Sequence, residues 1–328
     1  MKLGRKKKTI VLLTVMLVVV FCFCACGGGP AEEEMQIDPR PESVSKDKAT
    51  VRLYFGYLQN RWLVGENRSF DVPVNESQET AIIEQLIDPG SSPSMVDFVQ
   101  LVNPETRVVN VTSEGEFLFV TLSKEFLEGF GREPDAGNEE EMNYEKDRKY
   151  LAVYSIVNTL VEQGTYSRVS ILIDDEGTGN GRPITNLEAG IATESDGNAN
   201  DPAETFSRKG DIVLSPSNTM QEILSATEKN EWGTLYEYIA YKDSTGQDKP
   251  ALEDFRNELA TAKFSVSNVE IIDSIMSQDG KMNIVMVNYD LKLQDGEVKS
   301  KTNIPVRLTL ENDVWKITYY MYKLKFMS

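Results

Sequence analysis

Two runs of carboxylates, Glu139-Glu140-Glu141 and Asp174-Asp175-Glu176, stand out in the part of the chain that reads as folded. Paired carboxylates serve as acid and base in glycoside cleavage when their surroundings split their pKa values. Asp174, Asp175 and Glu176, followed by Gly177, also offer the oxygen ligands that calcium takes, although the EF-hand spacing with its distal Glu is absent. The plainer reading of adjacent acids in a turn is a solvated loop. No histidine occurs in the 328 residues, and the three cysteines stand at positions 22, 24 and 26. Ser-His-Asp and Cys-His nucleophile systems and the usual zinc sites need an imidazole or a thiolate. Those chemistries are excluded for the folded body, and an enzyme would have to work with carboxylates, Lys or Tyr. The expectation is therefore a protein without catalysis, cofactor or metal.

The cysteines answer to a different element. Lys2, Arg5, Lys6, Lys7 and Lys8 precede an apolar run from Ile10 to Ala25, which reads as an export signal over residues 1–25. The alternative is a retained anchor, but the run is shorter than the roughly 20 apolar residues that cross a bilayer comfortably. Phe23-Cys24-Ala25-Cys26-Gly27 resembles the lipobox of bacterial lipoproteins. That resemblance implies that Cys26 is the lipid attachment site and the mature N-terminus, that Cys22 and Cys24 leave with the signal, and that the chain sits on the outer face of the cytoplasmic membrane. The mature chain would hold 29 basic against 52 acidic groups, a formal charge of −23. Such a surface repels phosphate backbones and anionic headgroups, so nucleic acid is not a partner and the membrane is held by the lipid.

Residues 26–48 are rich in Gly, Pro and Glu and read as a solvated tether. From Ala49 to Leu58, β-branched and aromatic residues alternate with polar ones as in a strand, and Arg61 to Val64 returns as a second. Ile82, Ile83, Leu86 and Ile87 at helical spacing stop at Asp88-Pro89-Gly90, a set of helix breakers. Arg107–Thr112 and Glu116–Leu122 form a strand pair about Ser113-Glu114-Gly115. A second helix is predicted from about Asp147 to Glu162, with a strand over Val169–Ile173 behind it. The order β-β-α-β-β-α-β describes an α+β domain with helices on one face of a small sheet.

Val51–Phe55, Ala81–Pro89, Asn103–Thr112, Phe119–Phe126, Ser155–Leu160 and Val169–Gly177 together resemble the GerM-type sporulation and germination domain of exported bacterial proteins. The resemblance covers about 49–190 and implies a fold akin to the ring-building motifs of secretion and sporulation assemblies, with no known catalysis. The partner it implies is another envelope protein or a second copy. The acidic insertion from Glu128 to Glu145 argues against close stacking on that face.

Residues 191–215 read as a linker, and 216–328 as a second domain. There, helices are predicted over Asn218–Lys229, Trp232–Ile239 and Ala251–Ala260. Strands follow over Phe264–Ile272, Met282–Leu293, Lys299–Glu311 and Val314–Lys325, with Asn312-Asp313 as a hairpin turn. Helices followed by a curved antiparallel sheet resemble the NTF2-like or cystatin-like domains of many bacterial lipoproteins. Trp232, Tyr236, Tyr238 and Tyr241 either line a ligand pocket or pack the core. The tail Trp315–Phe326 alternates as a last strand, covered or open at the edge to a partner strand. The whole reads as a two-domain α+β, non-enzymatic binding protein. A carboxylate-based hydrolase of wall glycan and a carrier of small molecules in the second domain are the rival functions.

Overall fold

The computed structural model describes residues 48–327 apart from 59–60, 92–96, 131–134, 136, 244 and 294–295. The signal, Cys26 and nearly all of the tether lie outside the described residues. Among the described residues no helix is long and apolar enough to cross a membrane.

The first lobe opens with an antiparallel hairpin, β1 (Lys48–Tyr57) and β2 (Trp62–Asp71), paired without a break from Lys48↔Asp71 to Tyr57↔Trp62. Helix α1 (Gln78–Ile87) starts where Ser77 Oγ accepts the N–H of Thr80, and it buries Ala81, Ile82, Ile83, Leu86 and Ile87. A four-stranded sheet in the order β3-β4-β5-β6 follows, built from Val108–Glu114, Phe117–Ser123, Arg168–Asp174 and Arg182–Pro183. The turn between β3 and β4 holds Gly115 at φ +60, where glycine carries no Cβ penalty. Strands β4 and β5 are parallel, and the crossover between them is a 3-10 turn plus the long helix α2 (Glu139–Val161). The small sheet expected from the sequence is thus divided into a hairpin and a separate four-stranded sheet.

Helix α2 packs on both β1 and β5 and joins these pieces. It begins at Glu139 rather than Asp147. Its first turns project outward, so they carry no apolar stripe from which to read them. Instead they are held by a cap: Asn138 Oδ1 accepts the N–H groups of Glu140 and Glu141 at 3.1 and 3.3 Å. Further along, Ser155 and Thr159 lie one turn apart and complete the backbone of β1. The Ser155 hydroxyl donates to the Tyr54 carbonyl at 2.6 Å, and the Tyr54 N–H donates to Thr159 Oγ1 at 3.1 Å. These polar side chains are buried because a strand edge needs them.

Residues 191–215 run along the first lobe. The backbones of Val169 and Phe206 exchange hydrogen bonds of 2.8 and 2.7 Å, and the Asn158 side chain both accepts from and donates to the backbone of Lys209. Leu63 of β2 likewise pairs with Ile212 and Leu214.

The second lobe begins at Ser215, whose Oγ caps α3 (Pro216–Lys229); α4 (Trp232–Glu237) and α5 (Leu252–Ala262) follow. Strands β7 (Ser265–Met276), β8 (Met282–Lys292), β9 (Val298–Glu311) and β10 (Val314–Ile317) form an antiparallel sheet in the order β10-β9-β8-β7. Asn312 and Asp313 sit at φ 49 and 62, as a tight hairpin between β9 and β10 requires. The tail departs from the expectation. The strand stops at Ile317, and Thr318 caps a helix, α6 (Tyr319–Phe326). Tyr322 and Phe326 are buried while Tyr320 and Leu324 are exposed. A spacing of four fits the strand period and the helix period alike, so alternation could not separate them. The open-edge reading of the tail falls with the strand, and β10 is further covered where Ile317 bonds to Tyr238 and Ala240.

Candidate functional site

The carboxylate clusters named from the sequence are absorbed by local structure. Asp174 ends β5 as a nearly buried side chain, and its two oxygens accept the N–H groups of Thr178 at 3.1 Å and Gly179 at 2.8 Å. Gly179, then Thr178, hold its carboxyl below the usual carboxylate range. Asp175 and Glu188 grip Arg182 from either side, each in a two-pronged contact with its closer distance 2.6 Å. Glu176 points to solvent. At the start of α2, Glu141 accepts from the Asp135 N–H and the Asn138 side chain. The three glutamates there complement the positive helix end. Among the described residues no group of three or more acids is placed to hold a metal ion.

Groups that sequence reading did not connect meet at the junction of the lobes, around a cleft of about 570 Å³ lined by Tyr57, Arg61, Asp97, Gly233, Glu237 and Arg256 among others. Several devices build it. Gly56 of β1 exchanges backbone bonds of 2.9 and 2.8 Å with Val99, which brings in the loop that carries Asp97. A Cβ on Gly56 would stand 2.9 Å from a Leu101 methyl, so the close approach depends on glycine. From the second lobe, the Tyr241 hydroxyl donates to Asp97 Oδ1 at 2.7 Å. Lys316 of β10 is 2% exposed, with Nζ 4.0 Å from Asp97 Oδ2 and 4.1 Å from the Tyr241 ring centre. Lys249 lies 4.7 Å from that ring and 3.9 Å from the Tyr236 ring, and its ammonium donates to the carbonyls of Tyr236 and Ile239. Burial lowers the pKa of both lysines; for Lys249 the charge of Lys316 lowers it further.

Two more contacts tie the lobes together. The Tyr57 hydroxyl, whose pKa burial raises, donates to the Glu237 carbonyl at 3.2 Å, and Arg61 pairs with Glu222 at 3.1 Å. Leu58, also at the rim, sits at φ 49, a conformation that costs a branched side chain energy.

The aromatic set expected to be core or pocket divides accordingly. Tyr238 is fully buried; Trp232 packs against Phe264; Tyr236 packs against Phe255; Tyr241 is 40% exposed and works at the junction. Tyr57, Asp97, Tyr241 and Lys316 span most of the chain, and no local spacing announces that they converge.

Residues 52–178 match the model of the Germane family, described as sporulation and spore germination. No curated protein matches the chain. Among solved structures, the tandem GerMN domains of the sporulation protein GerM from Bacillus subtilis align at 22% identity. The alignment covers 42% of this chain and 44% of that one, with a TM-score of 0.29. The chain thus spans less than half of that structure's length. A Clostridium perfringens protein described as a lipoprotein aligns at 15% identity over 51% of this chain and 90% of its own, with a TM-score of 0.27. An NTF2-like protein of unknown function from Cytophaga hutchinsonii aligns at 11% identity over 31% and 85%, with a TM-score of 0.22. The chain carries a Germane domain over residues 52–178, within the first lobe.

Proposed function

We propose that this chain is a non-enzymatic, lipid-anchored binding protein on the outer face of the cytoplasmic membrane, and that its Germane domain docks onto another envelope protein or a second copy in sporulation or germination. The observation that carries this reading is the family match over residues 52–178. The surface it would use is the free edge of the first lobe's sheet. Strand β3 hydrogen-bonds only β4 among the described strands, and Val109, Asn110, Thr112, Ser113 and Glu114 along it are exposed. An unpaired strand edge offers a row of backbone donors and acceptors to an added strand. In this reading Cys26 holds the membrane, and residues 26–48 give the lobes reach.

Light scattering of the chain over a concentration series, run beside crosslinking in intact envelopes, tests the assembly role. Mass that grows with concentration, or one recurrent crosslinked neighbour, is expected. A strict monomer with no neighbour overturns it. Anchoring is tested separately by mass spectrometry of the mature N-terminus, where absence of lipid on Cys26 would refute it.

A further inference from the structure

The cleft at the lobe junction holds two opposite charges that do not meet. Arg256, on α5, makes no ion pair or hydrogen bond with any described residue; the Glu237 carboxylate at the end of α4 makes none either and acts on Lys249 and Lys316 only through its charge, and both line the same cavity. Every other charge at the cleft is engaged: Arg61 by Glu222, and Asp97 by Tyr241 and Lys316. Arg256 is also seated. Its Nη2 lies 2.8 Å from the point where a Cβ on Gly233 would stand, so the guanidinium rests on bare helix backbone at the start of α4. Gly233 and Glu237 are four residues apart, about 6 Å along a helix axis at 1.5 Å per residue. The cleft thus presents a cation at one end of α4 and an anion at the other, over a volume of about 570 Å³, within the range of small-ligand pockets.

We infer that this cleft binds a small zwitterion of dipeptide length, with its carboxylate on Arg256 and its ammonium on Glu237. A carboxylate forms a paired contact with a guanidinium fork, while the ammonium on Glu237 balances the second charge. A simple anion would leave Glu237 facing it at a cost, and a simple cation would face Arg256. Thr234 adds a hydroxyl-bearing residue to the lining. The assembly role proposed above uses a different face, so either inference can fail alone.

The test is calorimetric titration of the full chain in detergent with the dipeptide Ala-Ala and with 5-aminopentanoate, which sets the same number of chain atoms between its charges and has no side chain. Acetyl-Ala-Ala and Ala-Ala amide, each lacking one charge, are the controls. At least one zwitterion should bind, and the capped forms should bind roughly tenfold or more weakly. Arg256→Gln should abolish the preference for a free carboxylate, and Glu237→Gln the preference for a free ammonium. Neither change should shift thermal unfolding much, because both side chains are exposed and neither makes a hydrogen bond or ion pair with a described residue. The inference is overturned if neither zwitterion binds at millimolar concentration, if capped and free forms bind alike, or if each variant keeps the preference it should lose.

Discussion

Arg148 is the residue whose loss should do most damage, and the size of the loss can be worked from its contacts. It lies on α2 with 3% of its side chain exposed, and its fork meets Glu145 one turn earlier at 2.8 and 2.6 Å. It also donates to the carbonyl of Leu101 at 2.9 Å and to that of Glu128 at 3.3 Å. The change to make is Arg148→Met, which keeps the apolar stem and removes the charge. Breaking a buried pair by removing one partner costs about 3–5 kcal/mol. Glu145 keeps 15% exposure, so water reaches it in part and the lower end, about 3 kcal/mol, applies. The Glu128 carbonyl keeps a second donor in Asn103, whereas Leu101 O loses the one that Arg148 supplied, adding about 1 kcal/mol. The sum of about 4 kcal/mol is a large part of a typical folding stability. Urea unfolding should show it as a lower midpoint at unchanged slope. Adding Glu145→Gln removes the stranded carboxylate and should recover about 2 kcal/mol. A cost below about 1 kcal/mol, or a double variant no more stable than the single one, would refute the reasoning.

Two further outcomes follow from other buried groups. Thr159→Val keeps shape but leaves the Tyr54 N–H unpaired inside the first lobe, which should cost about 1–3 kcal/mol in the same urea assay; an unchanged midpoint would show that the bond is dispensable. Asp174 has a lowered folded pKa because loop N–H groups bond its carboxylate. Its contribution is therefore fully present above its unfolded value of about 3.9 and is lost as pH falls through the folded value. Asp174→Asn should melt lower than the parent near neutral pH, with the gap closing as pH drops through that window. A gap of equal size at neutral pH and at about pH 2 would remove the linkage argument.

What the sequence revealed, it revealed through local rules. The breaker set at Asp88-Pro89-Gly90, the apolar stripe of α1 and the Asn312-Asp313 turn are short-range features, and each stands where it was read. The start of α2 escaped because its exposed first turns carry no stripe, and the tail escaped because its spacing of four satisfies two periods.

The missing histidine and the confinement of cysteine to positions 22–26 decided by themselves which chemistries the folded body lacks, since no arrangement in space supplies an absent imidazole or thiolate. Tertiary structure alone decided what the remaining groups do. It turned Asp174 inward onto its own loop, set Ser155 and Thr159 against a strand edge, and brought Tyr57, Asp97, Tyr241 and Lys316 to one junction. It also left Arg256 and Glu237 lining one cleft with no ion pair or hydrogen bond to a described residue. The physical reason is the range of the interactions. Caps, turns and periodicity act within a few residues and are written in the order of the chain, whereas charge pairing and burial depend on which distant segments the fold brings together.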